Sequence, residues 1–200
     1  LREDSSCFSL FEDVLRQQGS VSQPLRSLLS RQKLDAYTAD KAAWLLSAII
    51  GQAPGCFSQQ EVEGLLKQLL EPKEPLCTEL GVLEAITNLL KSDTFRGLVW
   101  GAPGVSDSIL KVHGKTNSPL QYRCVFAIWM LSFDPAIMDD LKNRGVIAKF
   151  KEILAITRTE KVVRLCLTVL RNFLSHKGLC EDIVEEAVLD AVQNLEFEKW

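Results

Sequence analysis

"GVSDSILKV" at Gly104–Val112 and "GVIAKFKEI" at Gly145–Ile153 are one phrase written twice, 41 residues apart. Both read Gly-Val-x-x-x-[Ile/Phe]-x-x-[Val/Ile], and each leads into a long apolar run, Gln121–Phe133 and Val162–His176. The same offset places Arg123 over Arg164 and Phe126 over Leu167. Continued backwards, it reaches Ala85 and then Trp44, both in apolar stretches of helical period. Lys41 falls in register with the two arginines, and Val82 interrupts that series.

Around these phrases the periodicity is helical throughout. Phe8, Phe11, Val14 and Leu15 mark one helix face, and Leu25, Leu28 and Leu29 a second, with Pro24 near its start. A third helix is expected from about Thr38 to Gln52, stopped by Gly51, Pro54 and Gly55. Ser58 and Glu61 form a capping box for the next, whose apolar face is Val62, Leu65, Leu66, Leu69 and Leu70. Long β-branched alternation and Asn-Gly or Asp-Gly hairpin turns are missing from the sequence. A self-match near 41 residues lies in the window of armadillo and HEAT repeats. A short helix pair cannot bury its apolar face alone, whereas stacked neighbours share a core and the stack curves. The expected fold is therefore all-α: a right-handed armadillo/HEAT-like helical-repeat superhelix, or α-solenoid, forming a single array over 1–200. Trp44, Phe126 and Leu167 are expected to be buried at equivalent places.

Composition limits the chemistry. Hydrophobic residues make up 46% of the 200 and charged residues 24%, with a net charge of -3. That balance gives no basic field for nucleic acid. The longest apolar runs, such as "CVFAIWML" at Cys124–Leu131, fall short of the roughly 20 residues a bilayer span needs, so no direct membrane insertion is expected. Leu1–Leu10 carries acids where a signal peptide would be basic and apolar. Six cysteines and two histidines form no C-x-x-C pair and no zinc spacing, so neither metal nor cofactor is expected. Cys124 and Cys166 lie in apolar runs and are expected to be unpaired and inaccessible, with thiols reduced as in the cytosol. The glycines of "GAPG" at Gly101–Gly104 lack the Lys-Ser/Thr of a phosphate-binding loop. Acid pairs such as Asp139-Asp140 and Glu185-Glu186 have the spacing of solvated helix surface. No catalytic residue is assigned.

"VLRNFLS" at Val169–Ser175 looks like the groove-helix phrase of armadillo proteins. In those proteins the Asn faces outward and binds a partner's backbone, and that resemblance gives the role to Asn172. Lys41, Arg123, Arg164, Arg171 and Asn172 together make the candidate partner-docking groove. The plainer reading of the arginines is a solvated helix face, with the stems packed over apolar neighbours.

"QYRCVFAIWMLSF" at Gln121–Phe133, followed by Asp134-Pro135, resembles the H subunit family of the vacuolar proton-pumping ATPases. "GVIAKFKEIL" and "EKVVRLCLTVLRNFL" look like that family's next repeat. "ADKAAWLLSAI" at Ala39–Ile49 and "FRGLVWGAPGV" at Phe95–Val105 are similar to its preceding helix and linker. The resemblance covers about 40 to 190 and is firmest from Leu120 to Leu174. Family members are more than twice this length, so the chain corresponds to the N-terminal domain or a fragment of a longer subunit. The loop Glu71–Pro75 is shorter than the family's connector.

The resemblance implies a non-catalytic regulatory and structural subunit of an ATP-driven proton pump. Its partners would be the other pump subunits: the peripheral stalk, the hydrolytic sector and the cytosolic part of the membrane sector. Its place would be the cytosolic face of vacuolar and other endomembranes, and its role the coupling of ATP hydrolysis to proton transport. The rival reading is a generic armadillo/HEAT peptide-binding adaptor in trafficking or transport. Import-type arrays repeat Trp and Asn on every groove helix. Here Trp44 and Trp129 stand on different helices from Asn88 and Asn172, which leaves that ladder incomplete.

Overall fold

The structure, a computed structural model, describes residues 13, 27, 29, 34–70, 76–114, 117–193 and 195. The helices expected around Phe8–Leu15 and Leu25–Leu29, and the connector Glu71–Pro75, lie outside this set apart from isolated positions. Among the described residues all regular structure is helical: α1 Ala36–Gln52, a 3₁₀ turn Pro54–Cys56, α2 Gln59–Leu70, α3 Glu79–Leu90, α4 Asp93–Gly101, α5 Val105–Ile109, α6 Ser118–Leu131, α7 Pro135–Asn143, α8 Val146–Ile156, α9 Glu160–Phe173, α10 Lys177–Glu185 and α11 Val188–Gln193. The helices are packed as in armadillo-like α-solenoids, and the chain falls into two compact units, 1–99 and 100–200.

In the first unit α1 packs along α3. Asp35 starts α1 by accepting from the Thr38 N–H at 2.9 Å. The capping box of α2 forms as expected: the Glu61 carboxylate accepts from the Ser58 N–H at 2.8 Å, and Ser58 Oγ from the Glu61 N–H at 3.3 Å. Val62, Leu65, Leu66 and Leu69 are buried, while Leu70 sits at the edge of that face. Thr78 caps α3, and its N–H and hydroxyl both donate to Asp40 of α1, at 2.8 and 2.6 Å. Gly51 lets α1 approach closely, since a Cβ there would collide with the Asn88 carbonyl oxygen of α3.

In the second unit α6 lies along α9, α7 against α10, and α8 against α11. Phe150 of α8 meets Phe173 of α9 edge-on, with ring centroids 6.0 Å apart and both rings buried. The two Gly-Val phrases have a common structural cause. Gly104 (φ 80°) and Gly145 (φ 67°) take left-handed conformations at helix starts, and the following Val105 and Val146 are fully buried. Glycine adopts that φ without the Cβ clash that penalises other residues. A third turn of this kind is spelled differently: Ala187 has φ 51° and precedes the buried Val188. It separates α10 from α11 within the acidic stretch that begins at Glu181.

The burial expected at the 41-residue positions needs correction. Trp44 is 44% exposed, and Phe126 and Leu167 are half-buried. All three lie at the solvent edge of helices whose opposite faces make the core, where Leu46, Ile128 and Val169 are buried. Cys124 and Cys166 are fully buried and lie outside any disulfide among the described residues, as expected.

Candidate partner-docking surface

One polar arrangement occurs in both units. In the first, Ser47 Oγ donates to the Trp44 carbonyl at 2.9 Å, and Asn88 Nδ2 of α3 reaches Ser47 Oγ at 3.2 Å and the Trp44 carbonyl at 3.3 Å. In the second, Ser132 Oγ donates to the Trp129 carbonyl at 2.7 Å, and Asn172 Nδ2 of α9 donates to Ser132 Oγ at 2.8 Å. Trp-x-x-Ser on one helix is thus tied to an Asn on a helix that packs along it. The spacing is 85 residues from Trp44 to Trp129 and from Ser47 to Ser132, and 84 from Asn88 to Asn172. This register replaces the 82-residue one drawn from the sequence. Trp44 corresponds to Trp129, not Phe126, and Lys41 corresponds to Phe126, not Arg123.

The five expected groove residues divide accordingly. Lys41 belongs to the first unit, exposed, with its ammonium 5.4 Å from the Tyr37 ring centroid. The other four lie on the α6–α9 pair of the second. Arg123 is half-buried, its guanidinium 6.0 Å from the Tyr122 ring centroid. Arg164 is exposed and ion-paired with Glu160 one turn earlier on α9. Arg171 is exposed, with no ion pair among the described residues. Asn172 is half-buried, and its Nδ2 donates to Ser132 Oγ, so the Asn of the armadillo phrase here also ties neighbouring helices.

Two features escaped the sequence reading. Tyr122, Phe126 and Trp129 on α6 and Phe133, two residues past its end, form a row, with successive ring centroids 5.9, 5.5 and 5.2 Å apart. Their i, i+4, i+7, i+11 spacing was legible, but in a helix this apolar it is indistinguishable from core. At the end of the row an open cleft of about 730 Å³ is lined by Phe133, Pro135 and Met138 on one side and by Arg171, Ser175 and His176 on the other. That volume falls within the roughly 300–1,000 Å³ of binding clefts. His176 Nδ1 accepts from the Leu179 N–H at 3.3 Å, capping α10, and its Nε2 lies 3.2 Å from Asp139.

Elsewhere in this unit Trp100 Nε1 and Arg144 Nε each donate to Asp140 Oδ2 at 2.8 Å. The Arg144 hydrogen bond, seconded by that of Trp100, holds the Asp140 carboxyl below its ordinary value. Burial pushes the Cys166 thiol well up. The Cys77 thiol is pushed up to about 12, by burial first and then by the Asp40 carboxylate. None of these groups is prepared for nucleophilic chemistry. What the α6–α9 face offers is aromatic surface, arginine and an open cleft, the composition of protein-binding hot spots.

The family model for the H subunit of the V-ATPase, in its N-terminal part, matches residues 1–200. The chain belongs to the V-ATPase H subunit family. It is 29% identical over 202 residues to the probable V-type proton ATPase H subunit 2 of Caenorhabditis elegans, covering 96% of this chain and 41% of that protein. It is 28% identical over 181 residues to the V-type proton ATPase H subunit of Dictyostelium discoideum, covering 86% and 39%. It is 25% identical over 213 residues to that of Drosophila melanogaster, covering all of this chain and 44% of the relative. The chain thus spans about two fifths of the curated relatives it matches. Among the described residues of this family member, no helix is long and apolar enough to cross a membrane.

Proposed function

We propose that the chain acts as a non-catalytic regulatory and structural part of the V-type proton-pumping ATPase. In this reading it docks on the peripheral stalk from the cytosolic side of the membrane and is required for coupling ATP hydrolysis to proton transport. The observation that carries it is the match to the H subunit family over all 200 residues. The α6–α9 face supports it. In a chain of net charge -3, these two helices carry Arg123, Lys161, Arg164 and Arg171 against the single acid Glu160. Arginine's planar fork holds carboxylates in fixed geometry, which suits an acidic helical partner such as a stalk segment. The rival reading, a generic peptide-binding adaptor, calls for an Asn on every groove helix, and Asn88 is buried with its amide nitrogen engaged by Ser47 and the Trp44 carbonyl.

The test is a binding measurement between this chain and a peripheral-stalk heterodimer. Saturable binding is expected, weakened in the Arg123→Glu/Arg164→Glu double variant by about 2 kcal/mol where the contacts are desolvated. No binding by the wild-type chain would refute the stalk role.

A further inference from the structure

The cleft at the joined ends of α6 and α9 has an unusual balance. Most of its polar lining is already satisfied from within. Ser132 Oγ donates to the Trp129 carbonyl and accepts from Asn172. Ser175 Oγ donates to the Asn172 carbonyl at 2.7 Å. His176 is held between Leu179 and Asp139. Arg171 is the exception: its guanidinium is exposed at the rim, and among the described residues no carboxylate lines the cleft. The apolar wall is open too, with Phe133 52% exposed. A hydrophobic wall beside one uncompensated guanidinium fits an apolar side chain that is followed closely by a carboxylate.

The charge continues from there in one direction. Lys161, Arg164 and Arg171 are exposed on α9, at i, i+3 and i+10, with Arg164 also paired to Glu160 one turn earlier. At 1.5 Å per residue this stripe is about 15 Å long. The half-exposed aromatic row from Tyr122 to Phe133 ends in the same cleft that Arg171 lines. Apolar and cationic side chains thus meet at the cleft, the complement of an amphipathic helix that carries an acid beside its apolar anchor.

We propose that this face of the second unit is the seat of an acidic amphipathic helix from a partner protein. One apolar anchor of that helix enters the Phe133–Met138 cleft, and an Asp or Glu close to the anchor meets Arg171. Further acids lie along Arg164 and Lys161. The proposal rests on the docking role proposed above and specifies the partner's chemistry.

A synthetic helical peptide with leucines on one face and glutamates along its edge serves as the probe, titrated into the full chain by calorimetry. A second peptide carries lysine in place of every glutamate. The acidic peptide is expected to bind saturably, at least tenfold more tightly than the basic one. Arg171→Glu and Phe133→Asp are each expected to weaken it at least tenfold with unchanged helical circular dichroism. Arg171→Glu is further expected to improve binding of the basic peptide, which no general loss of structure can do. Absence of saturable binding, equal binding of the two peptides, or unaltered binding by both variants would overturn the proposal. The stalk-heterodimer measurement is read separately. Peptide binding without stalk binding removes the pump partner and leaves the surface, and stalk binding untouched by the variants moves the stalk contact elsewhere.

Discussion

Asn172 Nδ2 donates to Ser132 Oγ at 2.8 Å, and Asn88 holds the same relation to Ser47 at 3.2 Å. In both units a side-chain amide fixes one helix along another at the position where the earlier helix carries Trp-x-x-Ser. The two differ in burial: Asn88 is 4% exposed, whereas Asn172 lies at the rim of the cleft. Asn88 also reaches the Trp44 carbonyl and accepts from Lys91 Nζ at 2.9 Å. Removing a buried partner leaves desolvated groups unmatched, which costs more than losing a hydrated bond. Asn88→Ala should therefore destabilise by about 2 kcal/mol and Asn172→Ala by about 1 kcal/mol in urea unfolding. A double-mutant cycle on Ser132 and Asn172 should show coupling of about 0.5–1 kcal/mol. Strict additivity would mean that the tie contributes nothing.

The Trp100–Asp140–Arg144 cluster predicts a response to acid. Arg144 and Trp100 hold the Asp140 carboxyl below its ordinary value of 3.8. A carboxylate depressed in the folded state contributes stability above its unfolded value, and that stability is lost as pH falls through the folded value. Thermal unfolding temperatures should therefore drop as pH falls below about 4, and they should drop less steeply in Asp140→Asn. Asp140 is nearly half exposed, so the difference should shrink in high salt. A variant with the wild-type acid profile would rule out this cluster as a contributor.

The repeat was legible because its turns are chemically explicit. Gly104 and Gly145 announce left-handed helix starts, and the valines after them are core. Ser58 and Glu61 likewise spell their capping box. The register between the first and later helices was written in the sequence as Trp-x-Leu-Ser at Trp44–Ser47 and Trp129–Ser132, but apolar periodicity hid it, because a shift of three residues, nearly one helical turn, keeps the same apolar face. The Ser–Asn hydrogen bonds favour 85 over 82. The cleft was hidden for a related reason. Arg171 was visible as a cation, but the sequence does not say that Phe133, 38 positions earlier, opens beside it.

Thiol accessibility separates the five described cysteines. Cys124 and Cys166 are fully buried, and Cys77 is buried with its thiol pushed up to about 12. Cys56 and Cys180 are only partly covered. Since the thiolate is the nucleophile, a maleimide at neutral pH should modify Cys56 and Cys180 before the other three. Cys77, Cys124 and Cys166 should react only after denaturant unfolds their unit. Peptide mapping of the labelled chain gives the order, and early labelling of Cys166 would contradict the packing of α9.

Ala187 gives the most direct test of the repeated turn. Its φ of 51° is the one positive value among the described non-glycine residues, and it occupies the place that Gly104 and Gly145 hold before the other buried valines. An L-residue there carries a Cβ–carbonyl penalty of about 1–2 kcal/mol, partly offset because alanine loses less chain entropy on folding than glycine. Ala187→Gly should therefore stabilise the chain by about 0.5–1 kcal/mol. The reciprocal change is equally clean. A Cβ at Gly145 would meet nothing within 4 Å, so Gly145→Ala tests backbone conformation without a packing clash. It should destabilise by about 1 kcal/mol, a fall of about 2–4 °C in the melting temperature for a unit that unfolds with the whole chain. Opposite signs at the two positions are the expected result. A destabilising Ala187→Gly would show that the turn before α11 does not take the left-handed conformation that the other two share.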